Sequence, residues 1–296
     1  MGMDIDYTFK CAECSQQAAT RRASVIWKLM LSISLTVLLA CCAARRGKIM
    51  SWEAYSRLGK ISTPKVLDIK LPAGRLLYFG AEHTNDPTQR QFAEIERLWD
   101  EVRPTVAFSE GGIRPLENSR EQAIMRHGEP GLVRFLAARD GVAIQSLEPE
   151  PEAEVAWLRR RYLAEQIKVF YVLRQVVQHR RMNSPEPIEN YVARQLAGFS
   201  KIKGLEERPN TVAELQASVA RVLPELKDWR QAPADWFVPT TTARFTNRIN
   251  RVSSDLRNEH MVRLLTEHVR RGERVFAVVG FSHVVVQEPS LRARLR

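Results

Sequence analysis

Six histidines occur in the 296-residue chain, and two of them stand in the same local context. Gly80-Ala81-Glu82-His83 follows the apolar run Leu76-Leu77-Tyr78-Phe79, and Gly280-Phe281-Ser282-His283 follows Val275-Phe276-Ala277-Val278-Val279. Each reads as a buried strand, a glycine at its carboxyl end and an imidazole three residues on. Two more apolar runs end in carboxylates. Thr105 to Ser109 leads into Glu110-Gly111-Gly112, and Val142 to Leu147 leads into Glu148 and Glu150. Neutral imidazole and carboxylate suit zinc, manganese, cobalt or iron. Two histidines plus one carboxylate, with a position left for water, form a common catalytic metal pattern: the ion polarises a carbonyl and acidifies its water. A further carboxylate, Glu82 or Glu148, can then act as general base. The other histidines, His127, His179, His260 and His268, lie on charged helical stretches and are expected at the surface.

These groups meet only if the fold delivers them to one rim. In open α/β sheets ligands bind outside the carboxyl ends of the strands. The strands bearing His83 and His283 must therefore be neighbours, with Glu110 arriving between or beside them. Residues 65–70 alternate as an edge strand does, and a second strand covers 75–80. A one-faced apolar pattern predicts a helix over Pro87 to Val102. A strand over 105–109, helices over 117–125 and 130–139, and a strand over 142–147 follow. This alternation specifies an α/β fold with a mostly parallel sheet flanked by helices. From Glu150 to about residue 235 the periodicity is helical, with one long helix expected from Val155 to Val176. This is a helical insertion between the third core strand and the last strand. A helix over 245–271, the strand 274–280 and a short helix over 289–295 complete the chain.

Composition excludes several chemistries. The net charge is +11, with 35 arginines against 10 lysines. The charges are spread evenly, as on solvated helix faces, and no RNA-binding, zinc-finger or basic-zipper signature accompanies them, so nucleic acid is not an expected partner. All four cysteines precede residue 43, so the body can build neither a thiolate metal site nor a cysteine nucleophile. Cys11 and Cys14 lack the two further ligands that a zinc site needs. No Gly-x-Ser-x-Gly elbow, phosphate-binding glycine loop or HExxH word occurs.

The N-terminal segment points to the cell envelope. Leu29 to Ala44 is uncharged and mostly apolar, preceded by Arg21, Arg22 and Lys28. It is shorter than the roughly 20 residues of a spanning helix and suits the apolar region of a secretory signal. Leu38-Leu39-Ala40-Cys41 resembles a bacterial lipobox, with Cys41 as the lipidated residue. Arg45, Arg46 and Lys48 follow at once, which favours an uncleaved anchor instead. Either way residues 1–44 attach the protein to a membrane, 45–64 form a linker, and 65–296 form an exported domain.

Taken in order, Gly80-x-x-His83, the strand-end Glu110-Gly111, Arg257-Asn258-x-x-Met261 on a late helix and Gly280-x-x-His283 resemble the TraB/GumN-like family. That family is related to the TIKI metalloproteases and more distantly to erythromycin esterases and haem-binding ChaN lipoproteins. The resemblance covers about residues 65–290. It implies an α/β fold with a site at the sheet's carboxyl edge, and a divalent metal (manganese, cobalt or zinc) held by His83, Glu110 and His283 in a peptidase-like site. Arg257 also matches the family pattern, where a guanidinium binds a substrate carboxylate or an oxyanion. The expected function is a membrane-attached, metal-dependent hydrolase of peptides or small molecules. The rival readings are a non-catalytic lipoprotein that binds haem or another small ligand, and a protein that sequesters a peptide.

Overall fold

The apolar runs at 75–81, 106–109 and 274–280 become strands buried on both faces, which is why they show no alternation, whereas the run at 143–146 stays partly exposed. The computed structural model describes residues 47–182 and 184–296. The strands are β1 (Lys65–Lys70), β2 (Arg75–Ala81), β3 (Val106–Ser109), β4 (Ala143–Ser146) and β5 (Arg274–Gly280), in the sheet order β1-β2-β5-β3-β4. β1 runs antiparallel to β2, and every other pairing is parallel. The last strand in sequence is thus the middle one in space, between β2 and β3. The α/β fold with a mostly parallel sheet is the one expected, and it supplies the neighbours that the two histidine words require. β1 alternates buried and exposed positions and carries Val66, Asp68 and Lys70 outward, and the two charges at this edge discourage further strand pairing.

Nine α-helices occur among the described residues: α1 (Trp52–Ser56), α2 (Arg90–Val102), α3 (Arg120–Arg139), α4 (Pro151–Leu158), α5 (Ala164–Arg181), α6 (Ile188–Phe199), α7 (Val212–Val222), α8 (Phe245–Arg270) and α9 (Phe281–Arg294). Alternate residues of the strands feed two cores. On one face Leu76, Tyr78, Phe108, Ala277 and Val279 meet Met261, Leu265 and Val269 of α8 and Val284 of α9. On the other, Leu77, Phe79, Ala107, Phe276 and Val278 meet Phe92, Ile95 and Trp99 of α2 and Leu132 and Leu136 of α3. Helices α4 to α7, as the insertion, close on a third core around Phe170, Leu173, Leu196, Leu215 and Trp229.

Four expectations are corrected. The stretch 45–64, expected as a linker, carries α1 and packs on the domain: Trp52 is buried, and its indole N–H donates to Asp255 Oδ1 at 2.8 Å. The long helix over 155–176 is two helices, α4 and α5, separated by residues 159–163. The helices over 117–125 and 130–139 are one run with a kink at Gly128, whose φ is 61°. A glycine accepts that left-handed backbone readily, and Pro130, two residues on, cannot donate to the preceding turn. Finally, residues 281–294 form one helix that begins directly after Gly280, so His283 stands in a first helical turn rather than a loop.

Candidate active site

Four strand ends converge. β2, β5 and β3 finish level with one another, with Ala81 opposite Gly280 and Ser109 opposite Val278. Glu110 follows β3 directly and becomes the centre of the cluster. Its Oε2 accepts the Gly280 N–H at 2.7 Å, and its Oε1 accepts Arg257 Nη2 at 2.7 Å. His83 Nε2 stands 3.7 Å from Oε2, and His283 Nε2 stands 3.6 Å from Oε1. The carboxylate is therefore flanked by the two imidazoles, one at each oxygen. Burial opposes its ionised form, but His283, the Arg257 guanidinium, His83 and the Gly280 N–H together hold its carboxyl well below the usual range.

Gly280 is required here for close approach. A Cβ added to it would lie 2.8 Å from His83 Nε2 and 3.4 Å from Glu110 Oε2. Only a residue without a side chain lets the imidazole lie over the strand end while the backbone N–H reaches the carboxylate.

Each histidine has its other ring nitrogen tied to a buried acceptor. His283 Nδ1 lies 2.6 Å from Asn258 Oδ1, which also accepts Gln287 Nε2 at 2.7 Å. Gln287 Oε1 in turn accepts the Tyr78 hydroxyl at 3.0 Å. An amide oxygen only accepts, so this chain assigns the proton to Nδ1 of His283 and leaves the Nε2 lone pair facing Glu110. Burial pushes the His283 pKa down to about 4, with Arg257 acting in the same direction against the pull of Glu110, so the ring is neutral near pH 7. His83 Nδ1 lies 3.3 Å from Glu129 Oε2. Glu129 is 2% exposed, and its other oxygen accepts the Thr84 N–H and Gln91 Nε2 at 3.0 and 2.8 Å. Burial works against a charge on His83. The bond to Glu129 and the Glu110 and Glu129 charges outweigh it, and the pKa is raised.

Arg257 and Glu148 complete the cluster. Arg257 Nε and Nη2 donate to Glu148 Oε2 and Oε1 at 2.5 and 2.6 Å, and Gly111 N–H donates to Oε1 at 3.0 Å. Gly111 has a φ of 75°, which lets the chain turn back toward Glu148. Burial would raise the Glu148 carboxyl, but Arg257 and the Gly111 N–H prevail over it and over the like charge of Glu110, and it is lowered. Glu148 is thus an ionised partner of Arg257, with both oxygens occupied. Glu82 is not brought to the cluster: its side chain accepts a bond from Thr63 Oγ1 at 3.1 Å, and it does not line the cleft.

The cluster opens into a cleft of about 590 Å³ between the sheet edge and α5. His83, Glu110, Glu148 and Arg257 line its floor, and Tyr171, Arg174, Gln178 and Arg181 of α5 line its wall. His283 lies beneath this surface, 7% exposed.

The donor types and tautomers fit a divalent cation: both rings commit Nδ1–H to a buried acceptor, the outer-sphere pattern that metal-bound histidines show. Separations of 3.6 and 3.7 Å are also near the roughly 3.4 Å between donors around a tetrahedral ion at about 2.1 Å. Among the described residues, however, no group of three His, Cys, Asp or Glu side chains converges on one metal position.

Several participants were not singled out from the sequence. Asn258 lay inside the quoted word but carried no assigned role. Glu129 sits between Gly128 and Pro130, where the sequence showed only a helix break, and that kink turns it toward His83. Gln287, Tyr78 and Arg174 gave no local signal. Of the histidines expected at the surface, His179 and His268 are buried instead. His179 Nε2 pairs with the Glu186 carbonyl at 2.8 Å, and His268 contacts Glu273 and the Phe108 ring edge. His127 pairs with Glu117 at 3.0 Å, and His260 is partly exposed beside Arg263.

No helix among the described residues is long and apolar enough to cross a membrane. The segment 1–44, with Cys41 and the lipobox-like word, lies outside them. No family model matches the chain, and no curated protein or solved structure matches it.

Proposed function

We propose that this protein is a membrane-attached, metal-dependent hydrolase of the peptidase-like kind, with its site at the carboxyl edge of the sheet, and that it is related to the TraB/GumN-like group. One observation carries the reading: two imidazoles, each with Nδ1 hydrogen-bonded to a buried acceptor, present Nε2 to the two oxygens of one ionised carboxylate. His83, Glu110 and His283 would hold the cation, which when bound polarises a carbonyl and acidifies its water. The remaining residues prepare those three. Arg257, held by Glu148, fixes Oε1 of Glu110. The Gly280 N–H fixes Oε2. Asn258 and Gln287 set the His283 tautomer, and Glu129 orients the His83 ring. With Glu148 bound to Arg257 and Glu82 turned to Thr63, His83 is the group on the cleft floor able to exchange a proton when no cation holds it.

The test is metal binding by the full chain. Cobalt(II) titration should give a one-to-one complex with visible ligand-field absorption. His83→Ala and His283→Ala should each abolish it, and both should abolish hydrolysis of a peptide library. Binding absent in the wild type, or unchanged in both variants, overturns the metal assignment. A strong visible band on adding haem, lost in both variants, would favour the haem-binding rival.

A further inference from the structure

Helix α5 turns a cationic face to the cleft. Arg174, Gln178 and Arg181 stand at positions i, i+4 and i+7, one side of the helix, and all three line the cleft. The two arginines are thus about 10 Å apart along the axis, at 1.5 Å per residue. Neither has a carboxylate partner among the described residues. Arg181 Nη2 donates to Gln178 Oε1 at 2.7 Å, and Arg174 makes no hydrogen bond or ion pair there. Glu154, the acidic residue on the same wall, accepts instead from the hydroxyls of Tyr171 and Ser253, both at 2.6 Å. Arg114 also lines the cleft, and its Nε is buried with no hydrogen-bond partner. The contrast with Arg257 is direct, because that guanidinium spends Nε and Nη2 on Glu110 and Glu148. These arginines without carboxylate partners line the same cleft as His83 and Glu110, so they border the histidine cluster.

We infer that Arg174 and Arg181, with Arg114, form a subsite for a free carboxylate of the substrate, so that the enzyme acts on peptides or acylated amino acids bearing a carboxylate near the bond to be cut. Guanidinium is suited to this because its planar fork matches a carboxylate and is more weakly hydrated than an ammonium. The clamp that the family resemblance implied for Arg257 passes to these residues. The inference rests on the hydrolase reading only for the bond cut, since the subsite itself is a binding property.

Calorimetry on the full chain tests it with three probes: N-acetyl-dialanine, its C-terminal carboxamide and inorganic phosphate. The acid is expected to bind at least tenfold more tightly than the amide, and Arg174→Gln is expected to erase that preference. Arg181→Gln, at the exposed end of the face, should reduce it threefold or more, which keeps the test open should Arg174→Gln fail to fold. Equal binding of acid and amide by the wild type overturns the subsite, as does a preference unchanged in both variants. Phosphate binding tenfold tighter than the acid would overturn the carboxylate assignment. His83→Ala should retain the acid preference while losing turnover, so failure of the hydrolase reading and failure of the subsite give different results.

Discussion

The two Gly-x-x-His words are alike in sequence and opposite in their settings. After β2 the chain runs into a loop, and His83 keeps 35% of its side chain exposed, faces a buried carboxylate, and has a raised pKa. After β5 the chain enters α9 at once, and His283 is 7% exposed, faces an amide oxygen, and is held neutral with a pKa of about 4. Both rings touch the same Glu110 at nearly the same distance. What separates them is the atom behind each ring and the access of water. A charged acceptor behind a wet ring favours protonation, and a neutral acceptor behind a dry ring opposes it. One imidazole is built to change charge and the other to stay fixed.

Breaking the charge cluster that both rings share should have the largest effect. Arg257→Met leaves Glu110 and Glu148 facing each other without their common cation, and loss of one partner of a buried pair costs about 3–5 kcal/mol. Urea unfolding should show a loss of that order, with the pKa values of both histidines displaced in an NMR titration. Unchanged stability would mean that the cluster is wetter than its geometry implies.

The next effect should fall on His283 alone. Asn258→Leu removes the acceptor shared by His283 and Gln287, and leaving buried donors unpaired costs about 1–3 kcal/mol. Metal affinity should fall about 10–100-fold, as for other outer-sphere partners. Glu129→Gln, by contrast, should lower the His83 pKa with less effect on unfolding. Equal effects of the two substitutions would remove the distinction between the rings.

Acid should act on the two rings in opposite senses. His283, depressed to about 4 from an ordinary 6.5, contributes stability that is present above 6.5 and lost as pH falls through about 4. His83, raised above 6.5, contributes stability that is fully present below 6.5 and lost as pH rises through its folded value. Unfolding free energies of His283→Gln and His83→Gln, each compared with wild type from pH 4 to 8, should therefore diverge from it at opposite ends of the range.

The smallest effect is expected of Gly280→Ala. The added methyl would meet His83 Nε2 at 2.8 Å, and relief requires only that a partly exposed ring swing aside. Overpacking of this kind costs about 1 kcal/mol. The His83 resonances should shift and those of His283 should stay.

Much of this was legible in the chain itself. The buried strands appeared as unbroken apolar runs because β2, β3 and β5 are covered on both faces. The parallel sheet followed from alternation with helices, and the insertion from helical periodicity alone. His83, Glu110 and His283 could be picked out because each follows a strand end, whereas Arg257, inside α8, was marked only by the family resemblance. The helix break near Pro130 was visible too, but not its consequence, the delivery of Glu129 to His83.

Only the tertiary structure decided what those residues do to one another. Sequence spacing reports position along a helix or strand, whereas the charge of an imidazole depends on atoms from other segments: Glu129, 46 residues after His83, and Asn258, 25 residues before His283. The same is true of Glu148, which reads locally as a free carboxylate and is committed by a guanidinium 109 residues away. The chain alone placed His83, Glu110, Glu148 and His283 just beyond strand ends. Packing across the sheet decided their partners, their access to water and hence their protonation, because desolvation and long-range charge act through space and leave no local mark in the sequence.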